Sequence, residues 1–391
     1  MTLAFDLFEP AAQQRPFPAY AGLRHEGGVH VADPSASPLT FVVSRYEAAR
    51  VVLGDPSTFS SRVRPSPIIL FLDPPDHDRI RRTISRAFTP RRIVGLEPRI
   101  DEIATALIEP YVAAGGGDFV ADVAGRLPVY VIGEVLGIPT DDWEQLRRWS
   151  EATVRALAVA PDDVTHPFVL GAMALQRYLG EVADRCRAEP DDSITSQLVS
   201  FASAGEITDE ELVGFLQLMF VAGHETTTAL LAHTLELFAG DPAIFTTVRE
   251  HPELVGALVD EVLRTFSPLQ RVFRVATVDT QIAGIHVPAG SNVVVLIGAA
   301  NRDDQRFPGG DHIDLDAAET VHLAFGHGIH YCLGAPLARL EAVVAIRRLI
   351  ERVGAVRLDT RHPLERFAGG TTSELLTTSL WLHVDPLGCQ R

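Results

Sequence analysis

Apolar residues recur at helical spacing along most of the chain. The periodicity predicts helices from an N-cap at Ser44 to about Leu53, then over Asp76–Ala87, Pro90–Ala114, Pro128–Leu136, Asp141–Ala158 and His166–Ala188. It continues over Ser193–Ala202, Thr208–Ala239, Pro242–Phe266 and Pro336–Arg352. Thr208-Asp209-Glu210-Glu211 reads as a capping box, and the segment behind it runs about 48 Å at the helical rise while staying apolar nearly all round. Such a helix belongs inside the molecule. The Pro-rich opening to residue 40 reads as irregular chain with short strands, for example Thr40-Phe41-Val42-Val43. Strand chemistry returns over 271–297, where Val272, Val275, Val278, Ile282, Ile285 and Val287 are punctuated by Gly284 and Pro288-Ala289-Gly290. Asn301 to Val321 is irregular and rich in Asp, Gly, Pro and His, a length that a compact domain tolerates mainly for function. The expected fold is mainly α (α+β) with small β-sheets around a long buried central helix. It forms one domain over 1–391, with a β-containing lobe at about 1–60 and a helix-rich lobe at about 61–391.

Composition narrows the function. The 391 residues carry 34 basic and 51 acidic side chains, a net charge of −17, which disfavours a nucleic-acid partner. Local basic patches then stand out as docking sites for acidic proteins. Three cysteines, Cys186, Cys332 and Cys389, are too few for a disulfide framework and point to a reducing compartment. Residues 1–18 lack a signal-peptide pattern, and the apolar run from Leu212 is interrupted by Gln217 and His224-Glu225. The expected location is cytoplasmic.

Candidate chemistry gathers at Phe325-Gly326-His327-Gly328-Ile329-His330-Tyr331-Cys332-Leu333-Gly334, just ahead of the helix opened by Pro336. Amides and the macrodipole at a helix N-terminus favour thiolate over thiol, which prepares Cys332 as a metal ligand. In isolation a cysteine is more often a small buried hydrophobe. His322, His327, His330 and Cys332 also raise zinc, but their spacing does not fit the usual paired-ligand intervals.

This loop, with Ala338-Arg339 beyond it, resembles the signature of the cytochrome P-450 family of heme-thiolate monooxygenases, in its soluble bacterial branch. The resemblance extends over roughly residues 40–385. It implies the cytochrome P-450 fold, heme b with Cys332 as proximal iron ligand, and O2 as co-substrate. The implied reaction is R–H + O2 + 2 electrons + 2 protons giving R–OH + water. Phe325, Gly326 and Gly334 would shape the heme-binding loop. Ala222-Gly223-His224-Glu225-Thr226-Thr227 matches the family's oxygen-activation element, in which a widened helix groove admits O2, Thr226 organises a water and Glu225 supplies protons. Ala222 and Gly223 would then lie against the cofactor. Read without the resemblance, Thr226 would bond back to the carbonyl four residues earlier and Glu225 would sit in an ion pair.

Asp73-Pro74-Pro75-Asp76-His77-Asp78-Arg79-Ile80-Arg81 and the later Arg274 and His330 match the family's propionate-binding set, so His77, Arg81, Arg274 and His330 are expected to hold the heme carboxylates. Their residue types alone read as a solvated face. Glu261-Val262-Leu263-Arg264 looks like the family's structural Glu-x-x-Arg pair. Ala317 stands where relatives often supply its arginine partner. The chain has no flavin or nicotinamide motif of its own. Electrons are therefore expected from ferredoxin and its reductase or from a flavodoxin, docking near Arg79, Arg82, Arg86, Arg339, Arg347 and Arg348. A monomer is expected. The substrate is expected to be an apolar terpenoid, steroid, fatty acid or macrocycle touching Ile68, Ile69, Leu70, Leu218, Ala222, Val272 and Phe273, under a roof loop of only eleven residues between Ser61 and Asp73. A peroxide-driven enzyme or a heme-thiolate gas sensor of the same fold would have less need of Glu225 and Thr226.

Overall fold

Asp209–Gly240 is one uninterrupted α-helix, as its periodicity predicts. The computed structural model describes residues 9–159, 163–316, 321–367 and 373–387. At the start of the long helix the Glu211 amide donates to the Thr208 hydroxyl at 3.1 Å and the Thr208 amide donates to the Glu211 carboxylate at 2.8 Å. Every residue from Thr227 to Leu235 is buried. A helix can do that only where neighbours cover all its faces, and Leu127–Val135, Pro167–Ala188, Val255–Phe266 and Ala335–Arg352 pack around it.

A five-stranded sheet runs in the order Val29–Val31, Thr40–Val43, Asn292–Leu296, Arg271–Ala276, Phe59–Ser60. Thr40–Val43 pairs parallel with Asn292–Leu296, and the other pairs are antiparallel. The sheet thereby ties the early strands to the segment after the central helix. Side chains alternate across Arg271–Ala276, so Val272 and Arg274 share one face while Phe273 packs on the other against the Tyr20, Leu23 and Val42 cluster.

Several local expectations fail for identifiable reasons. The opening holds two helices, Pro10–Gln14 and Phe17–His25, because Pro10 and Pro18 sit in first turns, where a missing N–H costs nothing. Pro90–Ala114 divides into Pro90–Gly95 and Glu97–Ala113, with Pro98 opening the second helix. Pro242–Phe266 divides at Pro252, which pushes His251 to φ −126°, ψ 72°. Ser44 is not a cap: its hydroxyl donates to the Gly28 carbonyl at 3.3 Å, and the helix starts at Tyr46. Asp303, distant in sequence, accepts the Tyr46 amide at 3.0 Å instead.

Glu261 and Arg264 form a buried ion pair with both side chains under 4% exposed. Arg264 donates to both Glu261 oxygens at 2.8 Å, and to the carbonyls of Asn301 at 3.0 Å, Gly310 at 2.7 Å and His312 at 2.6 Å. These bonds use the full donor set of a guanidinium. The Asp314 amide donates to Glu261 at 2.8 Å. Ala317 lies outside the described residues. Within them, the backbone of the irregular 301–314 stretch is what the pair grips. Glu261→Gln should therefore lower unfolding stability by about 3–5 kcal/mol, because it strands a buried guanidinium. Arg264→Lys should also destabilise, since an ammonium cannot meet these planar acceptors. Denaturant unfolding monitored by circular dichroism checks both.

Candidate active site

The Cys332 loop is closed by backbone bonds: the Cys332 amide donates to the Phe325 carbonyl at 2.8 Å and the Gly326 amide to Leu323 at 2.8 Å. Gly326 and Gly328 take φ of 76° and 71°, in the left-handed region. At Gly328 glycine is also a packing requirement, because a Cβ would come within 2.6 Å of the Leu53 carbonyl oxygen. Cys332 then faces the start of Ala335–Arg352, where the Gly334 and Ala335 amides donate to its sulfur. Burial pushes the thiol above its ordinary range, and those amides with the charges of Arg81 and Arg339 act the other way. Bonding to a metal removes the proton outright.

The four residues expected to bind carboxylates come together from three elements. His77 and Arg81 lie on Asp76–Ser85, Arg274 on the sheet, and His330 in the cysteine loop. The His77 and His330 rings meet edge-on at 4.5 Å between centroids, and Arg81 donates to the Tyr331 carbonyl at 2.7 Å. Burial pushes Arg274 down to about 10 against the pull of Asp73. His330 is pushed down to about 3, first by burial and then by Arg274 and His77. His77 is 1% exposed and its buried Nε2 has no hydrogen-bond partner among the described residues. The set brings two guanidinium charges, Arg81 and Arg274, beside an imidazole nitrogen without a partner among the described residues.

Two residues here carried no functional assignment in the sequence. Ser61 hydrogen-bonds His330 Nε2 at 2.9 Å. Asp73 accepts from the Ser60 hydroxyl at 2.5 Å and from the Ser61 amide at 2.9 Å, fixing the turn that presents Ser61. Asp73 heads the Asp-Pro-Pro motif, so its position was visible, but its partners come from tertiary folding alone.

Midway along the central helix Ala222 is exposed, and Gly223, Glu225 and Thr226 are partly buried. The Thr226 hydroxyl donates to the Ala222 carbonyl at 2.8 Å. The helix runs without interruption through these residues, and the Thr226 bond is the back-bond a threonine makes inside a helix. A Cβ at Gly223 would meet only Ile132, at an ordinary 3.7 Å. Burial pushes the Glu225 carboxyl up to about 8, reinforced by Glu151 and Glu374. Neighbouring His224 is held neutral by burial and bonds Ser150 at 3.1 Å.

The apolar residues expected to touch substrate spread more widely. Ile68 packs over Gly214 of the central helix, within 3.8 Å of where its Cβ would stand. Ile69 and Leu218 lie against the main core, Val272 lies against the cluster beneath the sheet, and Leu70 is exposed. Phe273 belongs to the Tyr20 cluster on the face away from Arg274.

Of the six arginines expected to receive a partner, four are engaged within the chain. Arg79 pairs with Glu211, Arg86 with Glu206 at 2.6 Å, Arg339 with Asp260 at 2.7 Å, and Arg348 with Asp101. Arg82 and Arg347, and Arg91 beside them in sequence order, are exposed with no ion pair among the described residues. Arg339 lines a largely apolar groove with Pro90, Ile93, Val94, Pro336, Leu340 and Val343.

Comparison with known proteins places this arrangement. The family model described as cytochrome P-450 matches residues 172–353. The chain is 37% identical over 361 residues to the vitamin D(3) 25-hydroxylase of Pseudonocardia autotrophica, covering 88% of each. It is 36% identical over 367 residues to the mycinamicin IV hydroxylase/epoxidase of Micromonospora griseorubida, covering 90% of this chain and 91% of that one. Among solved structures, cytochrome P-450 CYP109Q5 of Chondromyces apiculatus superposes with a TM-score of 0.86 at 32% identity over 98% of both chains. CYP109E1 of Bacillus megaterium in complex with corticosterone gives 0.84 at 30% identity, covering 96% of this chain and all of that one. The chain belongs to the cytochrome P-450 family. It is a monooxygenase that binds heme and uses O2. No described helix is long and apolar enough to cross a membrane.

The residues present fit that cofactor. A sulfur capped by two amides suits iron, and the orphaned His77 nitrogen among Arg81, Arg274 and His330 suits two carboxylates. Arg274→Gln removes one charge-assisted bond worth about 1.5–3 kcal/mol, so heme transfer to apomyoglobin should speed by roughly 10-fold or more. Stopped-flow absorbance of the heme-loaded chain measures it.

Proposed function

We propose that this monooxygenase, working as a single domain, hydroxylates or epoxidises an apolar ring-containing small molecule at a heme held by Cys332. The observation that supports it most is the convergence on one loop of a metal-ready sulfur and a buried carboxylate-binding set. Cys332 would hold the iron, and His77, Arg81, Arg274 and His330 would hold the propionates. When bound, heme supplies O2 activation and oxidation of the substrate carbon, with the thiolate favouring O–O cleavage.

The remaining chemistry belongs to the chain. With its carboxyl pushed up to about 8, Glu225 is protonated at neutral pH and carries a transferable proton. The Thr226 O–H is committed to the Ala222 carbonyl, which leaves the threonine oxygen as an acceptor that can hold a water or an oxygen-bound proton in line. Ser150 fixes the ring of His224, which keeps that turn of the helix oriented. Ala222 presents the smallest chiral side chain toward the accessible side of the helix, leaving room for flat or bulky ligands.

The relatives point to substrate class. Their names specify vitamin D(3) and mycinamicin IV, and a structural neighbour holds corticosterone. Fused-ring and macrocyclic molecules suit a roof of eleven residues, anchored at Ile68 on the central helix, with Leu218 and Val272 as further contacts. Phe273 leaves the contact set because it packs on the opposite face of its strand. The electron donor would be an acidic ferredoxin or flavodoxin. Its apolar ridge would fill the Pro90–Val343 groove while Arg82, Arg91 and Arg347 meet its carboxylates.

Reduced, heme-loaded protein under carbon monoxide should show the long-wavelength band after which the family is named, and Cys332→His should abolish it. Thr226→Ala should divert electrons from product to peroxide, raising reductant consumed per product several-fold. Glu225→Gln should slow turnover by roughly 100-fold. The wild-type rate should fall as pH rises through about 8, where the working acid is lost, and the Gln variant should lose that limb. Product and peroxide yields during steady-state turnover test these; unchanged coupling in Thr226→Ala and an unchanged rate in Glu225→Gln would remove the two residues from the mechanism.

A further inference from the structure

We infer that Arg339, tethered by Asp260, is a positioning residue that holds a fixed positive charge near Cys332 and so sets the reduction potential of the iron. The inference rests on Cys332 being the iron ligand. Arg339 lies one turn into Ala335–Arg352, the helix whose first amides cap the sulfur. Its Nε donates to Asp260 at 2.7 Å, and Asp260 belongs to Val255–Phe266, the helix that also carries the buried Glu261–Arg264 pair. The His322 Nε2 stands 3.5 Å from the same Asp260 oxygen. The guanidinium then lies 4.6 Å from the ring centre of Phe325, and the Phe325 carbonyl accepts the Cys332 amide at 2.8 Å. The His322 ring rests 5.8 Å from the Phe325 ring, closing the set. A helix, a neighbouring helix and the cysteine loop thus share one cation. Both charged side chains are about one-third exposed, so solvent weakens this field without abolishing it.

The charge has a definite electrostatic effect. Reduction of the iron adds one negative charge to the site. A nearby cation stabilises that charge and raises the potential; its removal lowers it. Asp260 opposes Arg339, so removing the acid leaves the cation uncompensated. An ion pair of purely structural value predicts the opposite pattern: breaking it from either side should shift the potential the same way.

Spectroelectrochemical titration of the heme-loaded, substrate-free full chain distinguishes the two. Arg339→Gln should lower the midpoint potential, Asp260→Asn should raise it, and Arg339→Lys should stay near wild type. The carbon monoxide band of each variant is recorded alongside. Shifts of opposite sign with that band unchanged establish the assignment. Shifts of the same sign, or no shift in Asp260→Asn, overturn it, and the Asn variant decides the matter if Arg339→Gln does not take up heme. A wild-type protein without the thiolate band would instead defeat the assignment of Cys332 itself.

Discussion

On the proposed reading, the Cys332 sulfur has to bind iron as the thiolate beside a low-dielectric interior, in a chain whose net charge is −17. That constraint organises the heme side of the molecule. Desolvation favours the neutral thiol and holds it above its ordinary range, and what opposes it is local: two amides at a helix start and the charges of Arg81 and Arg339. Amides are the more dependable part of this set, because their dipoles are fixed by the helix and carry no net charge to be screened. The arginines have to be held in place, and each is. Arg81 is tied to the Tyr331 carbonyl one residue before the cysteine, and Arg339 to Asp260.

The same loop must resist collapse onto its ligand, and its stiffness comes from beneath. Arg264 spends every donor on Glu261 and on three carbonyls between Asn301 and His312. Asn301 in turn accepts the Leu323 amide through its side chain at 2.7 Å, at the mouth of the cysteine loop. One buried ion pair therefore anchors an irregular stretch that has no regular ladder of its own. The long Asp- and Gly-rich segment is tolerated because its backbone groups are bonded inward.

Much of this was legible in the sequence, for reasons that differ by residue. The central helix was visible because a capping box and an all-round apolar pattern are local signals. The glycines around Cys332 were visible because left-handed turns admit few other residues. The breaks at Pro98 and Pro252 were also local and could have been read from proline chemistry alone. Asp303 capping Tyr46, Ser61 bonding His330 and Asp260 holding Arg339 could not, since each joins segments whose proximity only the finished fold creates. The same holds for the Arg264 acceptors: three of them are main-chain carbonyls, and a carbonyl leaves no mark in a sequence.

Thr226 shows how one side chain can satisfy a structural and a chemical reading together. Its bond back to Ala222 is the ordinary behaviour of a threonine in a buried helix. The bond consumes the only hydroxyl proton and leaves the oxygen an acceptor, so the residue can hold a proton but has none free to give. The adjacent Glu225 has the complementary character, a carboxyl kept protonated by burial and by the nearby charges of Glu151 and Glu374. On the proposed reading, Thr226 would act as an acceptor and Glu225 as a donor of protons, which gives their work a direction. Direction follows from the environments of these two groups, since either residue in a solvated helix would lose that distinction to water.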